Sequence, residues 1–385
     1  MTSAVSLLEE LIRIDSTNAA PLCDERNCRT GAERAMARFV SDWLAERGFG
    51  VETREVAPTR PCVIGRSRPV RDGQPTVALE AHLDTVGVEG MRMAPFEPRR
   101  EDGRIYGRGA ADTKGALAAM LSALEALASE DLPVNLMFIG ACAEETGCEG
   151  IARLDLQQWP DAAIVGEPTS NRPVATHKGF VWFDATVGGR AGHSSDPDSA
   201  DNAVVRACRV IEFLRQWAGQ RLSKLCNADF DRSTLSVNRI AGGTKVNVSP
   251  ADCTFSVDIR LVPGTSGEDV LDALRDALSG EFTFPVELRN VRIAPGLCRR
   301  EDGKMAGALR DGAEEVTGGS NEPGAVHYCS DAGVLQQRGV DCAVFGPGNI
   351  SQAHGKEEWV STEEVREAAD ILRRSVLIYL KQRAR

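Results

Sequence analysis

The sequence predicts an α/β fold, a mainly parallel sheet flanked by helices, with a smaller α+β sandwich inserted into it. Three observations carry this prediction. Short apolar runs at 76–79, 135–139, 162–165 and 342–345 alternate with helix-length segments, as buried parallel strands joined by crossover helices do. The first three of these runs lead within a few residues into acidic or imidazole motifs, and ligands collect beyond the carboxyl ends of such strands. Between about 178 and 292 the pattern becomes strand, helix, strand, strand, helix, strand, which fits one small sandwich.

A chain of 385 residues is long for a single domain. The expected division is a larger domain from 1–177 and 293–385, with a smaller domain inserted at 178–292. Residues 1–15 lack a positive leader, and their apolar positions alternate with Glu9, Glu10 and Arg13, so an amphipathic helix is expected rather than a signal peptide. Thr30-Gly31-Ala32-Glu33 reads as a capping box. The helix it opens aligns Met36, Phe39, Val40, Trp43 and Leu44 and stops at Gly48. Strands follow near 51–56 and 62–65, then the apolar run that ends in Glu80-Ala81-His82. Residues 95–104 are polar and read as a hairpin or loop, and 115–128 as a small-residue helix.

In the inserted part, 180–188 alternates like a half-exposed strand and 192–195 reads as a turn. A helix at 201–217 aligns Val204, Cys208, Ile211 and Leu214. Strands at 235–240 and 253–261, a helix at 267–278 and a strand at 282–289 complete it. Helices at 305–316 and 362–382 then bracket the strand at 342–345.

Composition narrows the function. A net charge of −11 with no basic cluster argues against nucleic acid or an anionic membrane as partner. No apolar run approaches the roughly 20 residues that span a bilayer. The 11 cysteines are scattered, and Cys23/Cys28 and Cys142/Cys148 have no matching second pair, so a zinc ribbon is not expected. Reduced thiols in a cytoplasmic protein account for them.

The chemistry gathers at the strand ends: His82, Asp112, Glu144, Glu145, Glu167 and His354. His82-Leu83-Asp84 alone could mark a buried, hydrogen-bonded histidine. It could also supply a metal ligand and the carboxylate that orients it. Glu144-Glu145 alone would pass for a solvated pair, yet it follows an apolar strand closely. Clustered buried acids repel and desolvate at large cost unless a cation or a proton offsets them. Two imidazoles among carboxylates suit zinc, cobalt or manganese and are too nitrogen-rich for calcium.

The motifs His82-Leu83-Asp84-Thr85-Val86, Gly107-Arg108-Gly109-Ala110-Ala111-Asp112-Thr113-Lys114-Gly115, Glu144-Glu145-Thr146-Gly147, Gly166-Glu167-Pro168-Thr169 and Gln352-Ala353-His354 resemble a family of dinuclear zinc metallopeptidases. That family includes acetylornithine deacetylases, succinyl-diaminopimelate desuccinylases, aminoacylases and glutamate carboxypeptidases. The resemblance spans essentially the whole chain. It implies that Asp112 bridges two metal ions, zinc first, with cobalt or manganese as alternatives. His82 and Glu167 would complete one site, and Glu145 and His354 the other. It further implies that Asp84 backs His82, that Glu144 is the general base and that the peptide after Asp112 is cis. His193 would reach the other subunit's site, which makes the enzyme a homodimer, with 1–177 and 293–385 as the catalytic domain and the inserted 178–292 as lid and dimerisation domain. Arg260 would grip a substrate carboxylate, a task suited to a bidentate fork. Asn247, Ser330 and the Gly346–Gly348 amides, Gly348 among them, would line the rest of the pocket.

A pair of metal ions roughly 3.5–4 Å apart would polarise a scissile carbonyl and bring a bound water's pKa to about 7. The expected reaction is hydrolysis of the amide bond in a small N-acyl amino acid, of the N-acetylornithine type. A desuccinylase, a dipeptidase or carboxypeptidase, and a non-catalytic binding relative are the alternatives. A transferase or ring-forming amidase has no positive sign. Ser330-Asp331 stands where acetylornithine deacetylases more often have Thr-Glu, and 18–29 is longer and carries cysteines. These departures bear on the acyl group and side chain. His177 and His327 read as structural.

Overall fold

A computed structural model of the chain describes residues 3–18 and 32–383. The chain forms two compact units. One comprises the residues up to Thr176, Cys298–Ala325 and those from Ser330 onward; the other is His177–Leu297 with Val326–Cys329.

The first unit is built on an eight-stranded sheet. Its order is Gly50–Ala57, Arg60–Arg66, Asn135–Ala141, Thr76–His82, Ala162–Val165, Asp341–Val344, Val174–His177 and Gly324–Val326. The four central strands are parallel, and Arg60–Arg66 and Val174–His177 flank them antiparallel. The central strands are buried on both faces, which is why they read as unbroken apolar runs instead of alternating ones. Helix Lys114–Ala128 is buried nearly all round because its alanines let it sit between the Thr76–His82 strand and helices Ala4–Ile12 and Thr362–Arg383. Leu117, Leu121 and Leu124 meet Leu8, Leu11, Ile371 and Leu372 in the main core.

The helix start expected at Thr30-Gly31 lies outside the described residues. Helix Ala32–Glu46 follows and buries Met36, Val40, Trp43 and Leu44. Residues 95–104 lead into the hairpin Arg99–Glu101 and Arg104–Tyr106, which also pairs with Trp359–Ser361. The edge strands Val174–His177 and Gly324–Val326 are additions to the sequence reading; runs of three or four residues have too little periodicity to read.

The second unit is an antiparallel sheet in which Gly179–Gly188 is flanked by Val286–Ala294 and Asp252–Leu261, and Thr234–Gly242 forms the outer edge. Val181, Phe183, Ala185 and Val187 point under helices Ala203–Arg221 and Gly267–Glu281, with Phe255, Val257 and Leu274. Asn202 caps the first helix by accepting the Val204 and Val205 amides at 3.0 and 3.2 Å. The buried face of that helix is Ala203, Ala207, Val210, Leu214 and Trp217. Of the expected stripe Leu214 is fully buried, Val204 and Ile211 pack at the margin of the core, and Cys208 is exposed. Small alanines face the sheet, and a hydropathy reading undervalues them against Val204 and Ile211. Gly192–His193 is a short strand paired with Val248–Ser249, not only a turn. Among the described residues no helix is long and apolar enough to cross a membrane.

Candidate metal centre

Sheet register brings the motifs to one edge. His82 is the last residue of its strand and pairs with Ala141, three residues before Glu144, while Glu80 pairs with Val165, two before Glu167. Val344 pairs with Val165, so the segment toward His354 leaves from the same edge. These are the carboxyl ends of the parallel strands.

Asp112 lies between the two imidazoles: its Oδ1 is 3.1 Å from His82 Nε2 and its Oδ2 is 3.3 Å from His354 Nε2. His354 Nε2 is also 3.0 Å from Glu145 Oε2. Donor atoms of His82, Asp112 and Glu145 fall within 4.8 Å of one another, and so do those of His82, Glu144 and Glu167. The peptide between Asp112 and Thr113 is cis. All five residues expected to hold metal, with Glu144, thus converge in the first unit.

Burial dominates the electrostatics of the raised carboxylates, and crowding of like charges adds to it. Burial pushes Glu167 well above the usual carboxyl range, and Asp112 and Glu144 push it further. Burial also lifts Glu144 far up, opposed by His82 and reinforced by Glu145. Glu145 is raised to about 7 by burial and by Asp112. Burial would lower His82, yet Asp112 and Asp84 outweigh it and raise the imidazole well above its ordinary value. Asp112 itself is held low, because the two imidazoles overcome its burial. Four acids against two imidazoles leave excess negative charge, so the donor set fits divalent cations in number and chemistry.

Comparison with known proteins places the chain. A model of the peptidase family M20/M25/M40 matches residues 78–377. The chain belongs to this family. Acetylornithine deacetylase of Myxococcus xanthus is 32% identical over 96% of this chain and 95% of its own length. The Vibrio campbellii protein of that name is 30% identical over 98% and 99%. The crystal structure of an M20 family metallo-carboxypeptidase from Sulfolobus solfataricus shares the fold, with a TM-score of 0.79 at 18% identity, over 99% of this chain and 100% of that one. The chain is accordingly a metal-dependent amidohydrolase.

Within this M20 chain, Asp84 meets His82 through both its backbone and its side chain. His82 Nδ1 lies 2.9 Å from the Asp84 backbone carbonyl and 3.6 Å from its Oδ1, so the carbonyl is the nearer orienting partner. The strand ends at His82, and its alternation does not carry through to Asp84. The Asp84 carboxylate also accepts the Glu144 amide at 3.1 Å, the Glu145 amide at 3.2 Å and Asn18 Nδ2 at 2.6 Å. It fixes the backbone of the loop that carries Glu144 and Glu145.

Glu33 and Glu358, like Glu80 and Asp331, are buried acids that were not among the site residues read from sequence. Glu33, expected to cap its own helix, is turned inward: it pairs with Arg60 and accepts the Ala143 amide at 2.9 Å. Glu358 accepts amides from the Asp112 loop. Neither has a sequence signal beyond an acid near an apolar run or near His354.

Ser330 is fully buried, with its Oγ accepting the Ala332 amide at 3.3 Å. The pocket-amide expectation for Gly346–Gly348 needs correction. Gly348 N donates to Glu364 Oε2 at 2.8 Å and Gly346 N to Thr169 Oγ1 at 3.1 Å, so both are engaged inside the unit. Gly348 has φ +83°, and a Cβ there would lie 3.1 Å from Ala111 Cβ, which explains the glycine beside the Asp112 loop.

In the second unit, His193 is exposed, with Nδ1 2.7 Å from Ser195 Oγ. The Asn247 carbonyl accepts the Ser194 amide at 3.1 Å, and the residue is exposed. Arg260 pairs with Asp258 at 3.0 Å and lies over Trp182 and Phe180. His177 is buried, and His327 meets Phe230 edge-on.

Proposed function

We propose that this chain hydrolyses the amide bond of a small N-acyl amino acid, N-acetylornithine being the leading substrate. The observation that carries the reading is the position of Asp112 between His82 and His354, with Glu144 in the same cluster. Identity near 30% across almost the full length to two acetylornithine deacetylases supports the choice of substrate.

In this reading His82, Asp112 and Glu167 hold one divalent ion and Asp112, Glu145 and His354 the other. Zinc is the first choice, with cobalt or manganese as alternatives. When bound, such ions polarise the scissile carbonyl and acidify the attacking water. Glu144 adjoins Glu145 but is left out of the ligand set, so it removes the water's proton and delivers it to the departing nitrogen. Asp84 keeps the Glu144 amide in place during that transfer. His82 is oriented through Nδ1, which fixes Nε2 toward Asp112. We assign His193 to oxyanion stabilisation across a homodimer, and Arg260 to the substrate carboxylate. Asn247 and Ser330 are assigned to the substrate side, and the protein to the cytoplasm.

The test is turnover by the metal-loaded protein of N-acetylornithine, N-succinyl-diaminopimelate and a dipeptide panel. Release of acetate and ornithine in preference to the others supports the reading. Exclusive cleavage of dipeptides would replace it with a peptidase.

A further inference from the structure

The segment that carries His354 also ends in a buried acid that accepts its hydrogen bonds from the loop leading into Asp112. Glu358 Oε1 accepts the Ala111 and Asp112 amides, each at 3.0 Å. Its Oε2 accepts the Gly109 amide at 3.0 Å and Arg108 Nη1 at 2.6 Å. Four donors from 108–112 therefore converge on one carboxylate that is 1% exposed. Gly109 makes the convergence possible with φ +81°, and a Cβ there would lie 2.7 Å from Thr85 Cγ2. The contact is doubled from the backbone side, since the Glu358 carbonyl accepts the Gly107 amide at 3.1 Å.

We propose that Glu358 is the positioning residue for Asp112. One short segment then acts on Asp112 from two directions: His354 meets its carboxylate, and Glu358 fixes its backbone amide. An isolated aspartate on an irregular loop would sample several rotamers and backbone states. Sharing one carboxylate between two cations demands a fixed one. A carboxylate suits the task because it is acceptor-only at both oxygens, whereas a glutamine would turn an NH₂ toward two of the four donors. Arg108 balances the buried charge, so the pair has a structural part as well. The inference rests on the metal-binding reading of Asp112.

The experiment measures zinc affinity of the metal-stripped full-length protein by competition with a chromophoric chelator, alongside thermal midpoint, kcat and KM. Glu358→Gln should weaken zinc binding about 10–100-fold and lower kcat with KM little changed. Arg108→Gln removes the charge partner but keeps the three amide bonds to Glu358, so it should lower the thermal midpoint while zinc affinity stays within a few-fold of wild type. Wild-type affinity in Glu358→Gln, or an equal loss of affinity in Arg108→Gln, would reduce Glu358 to half of an ion pair and overturn the proposal. Asp112→Asn separates the two readings. If it keeps full zinc affinity, the metal role of Asp112 fails. If it loses zinc while Glu358→Gln does not, only the present inference fails.

Discussion

His354 Nε2 lies 3.0 Å from Glu145 Oε2, a contact between residues 209 positions apart in the chain. It joins the end of the Asn135–Ala141 strand to the loop beyond Asp341–Val344. The same nitrogen is 3.3 Å from Asp112 Oδ2, so one imidazole ties together three separate motifs.

That contact predicts proton release on metal binding. In the metal-free protein, hydrogen bonds donated by His354 to the Asp112 and Glu145 carboxylates raise its pKa to about 10. A cation must displace this proton, so apparent metal affinity climbs as pH rises toward 10, and binding at pH 8 releases protons. Because the folded value exceeds the ordinary 6.5, the same contact stabilises the metal-free fold fully below pH 6.5 and fades as pH rises through about 10. Calorimetry in buffers of different ionisation enthalpy reads the released protons directly. A buffer-independent heat would contradict the assignment of His354.

Glu144→Ala should retain its metal ions yet lose turnover by about 10²–10⁴-fold or more, as expected for a missing general base. Metal analysis and kcat on the same sample check this. Near-normal rates would remove Glu144 from that role.

His193→Ala should cripple turnover while zinc content stays unchanged. Mixing it with Glu144→Ala protein should partly restore activity, since a mixed dimer would contain one site with both residues intact. Failure of any such complementation, with subunit exchange verified, counts against a site shared between copies.

Arg60→Ala should destabilise the first unit by about 3–5 kcal/mol, because it leaves Glu33 buried without its charge partner. Chemical denaturation measures this. A change under about 1 kcal/mol would show that Glu33 does not depend on Arg60.

Much of this was legible in the sequence, for identifiable reasons. The parallel strands show as apolar runs because both of their faces are covered, and His82, Asp112, Glu144, Glu145, Glu167 and His354 stand near the ends of elements that a motif can mark. Glu33 and Glu358 were hidden because each pairs with a sequence-distant arginine and accepts backbone amides, and neither kind of partner leaves a local residue pattern. The amide bonds of the Asp84 carboxylate to Glu144 and Glu145 were hidden for the same reason. On helix Ala203–Arg221 the small Ala203 and Ala207 were passed over in favour of Val204 and Cys208, because alanine contacts carry little hydropathy signal.

The most direct test is to titrate metal-stripped protein with zinc while following N-acetylornithine hydrolysis. The account predicts no turnover without metal and a rise that levels off at two ions per chain. Full turnover in the metal-free protein, or a zinc-loaded protein that hydrolyses no N-acyl amino acid, would contradict it.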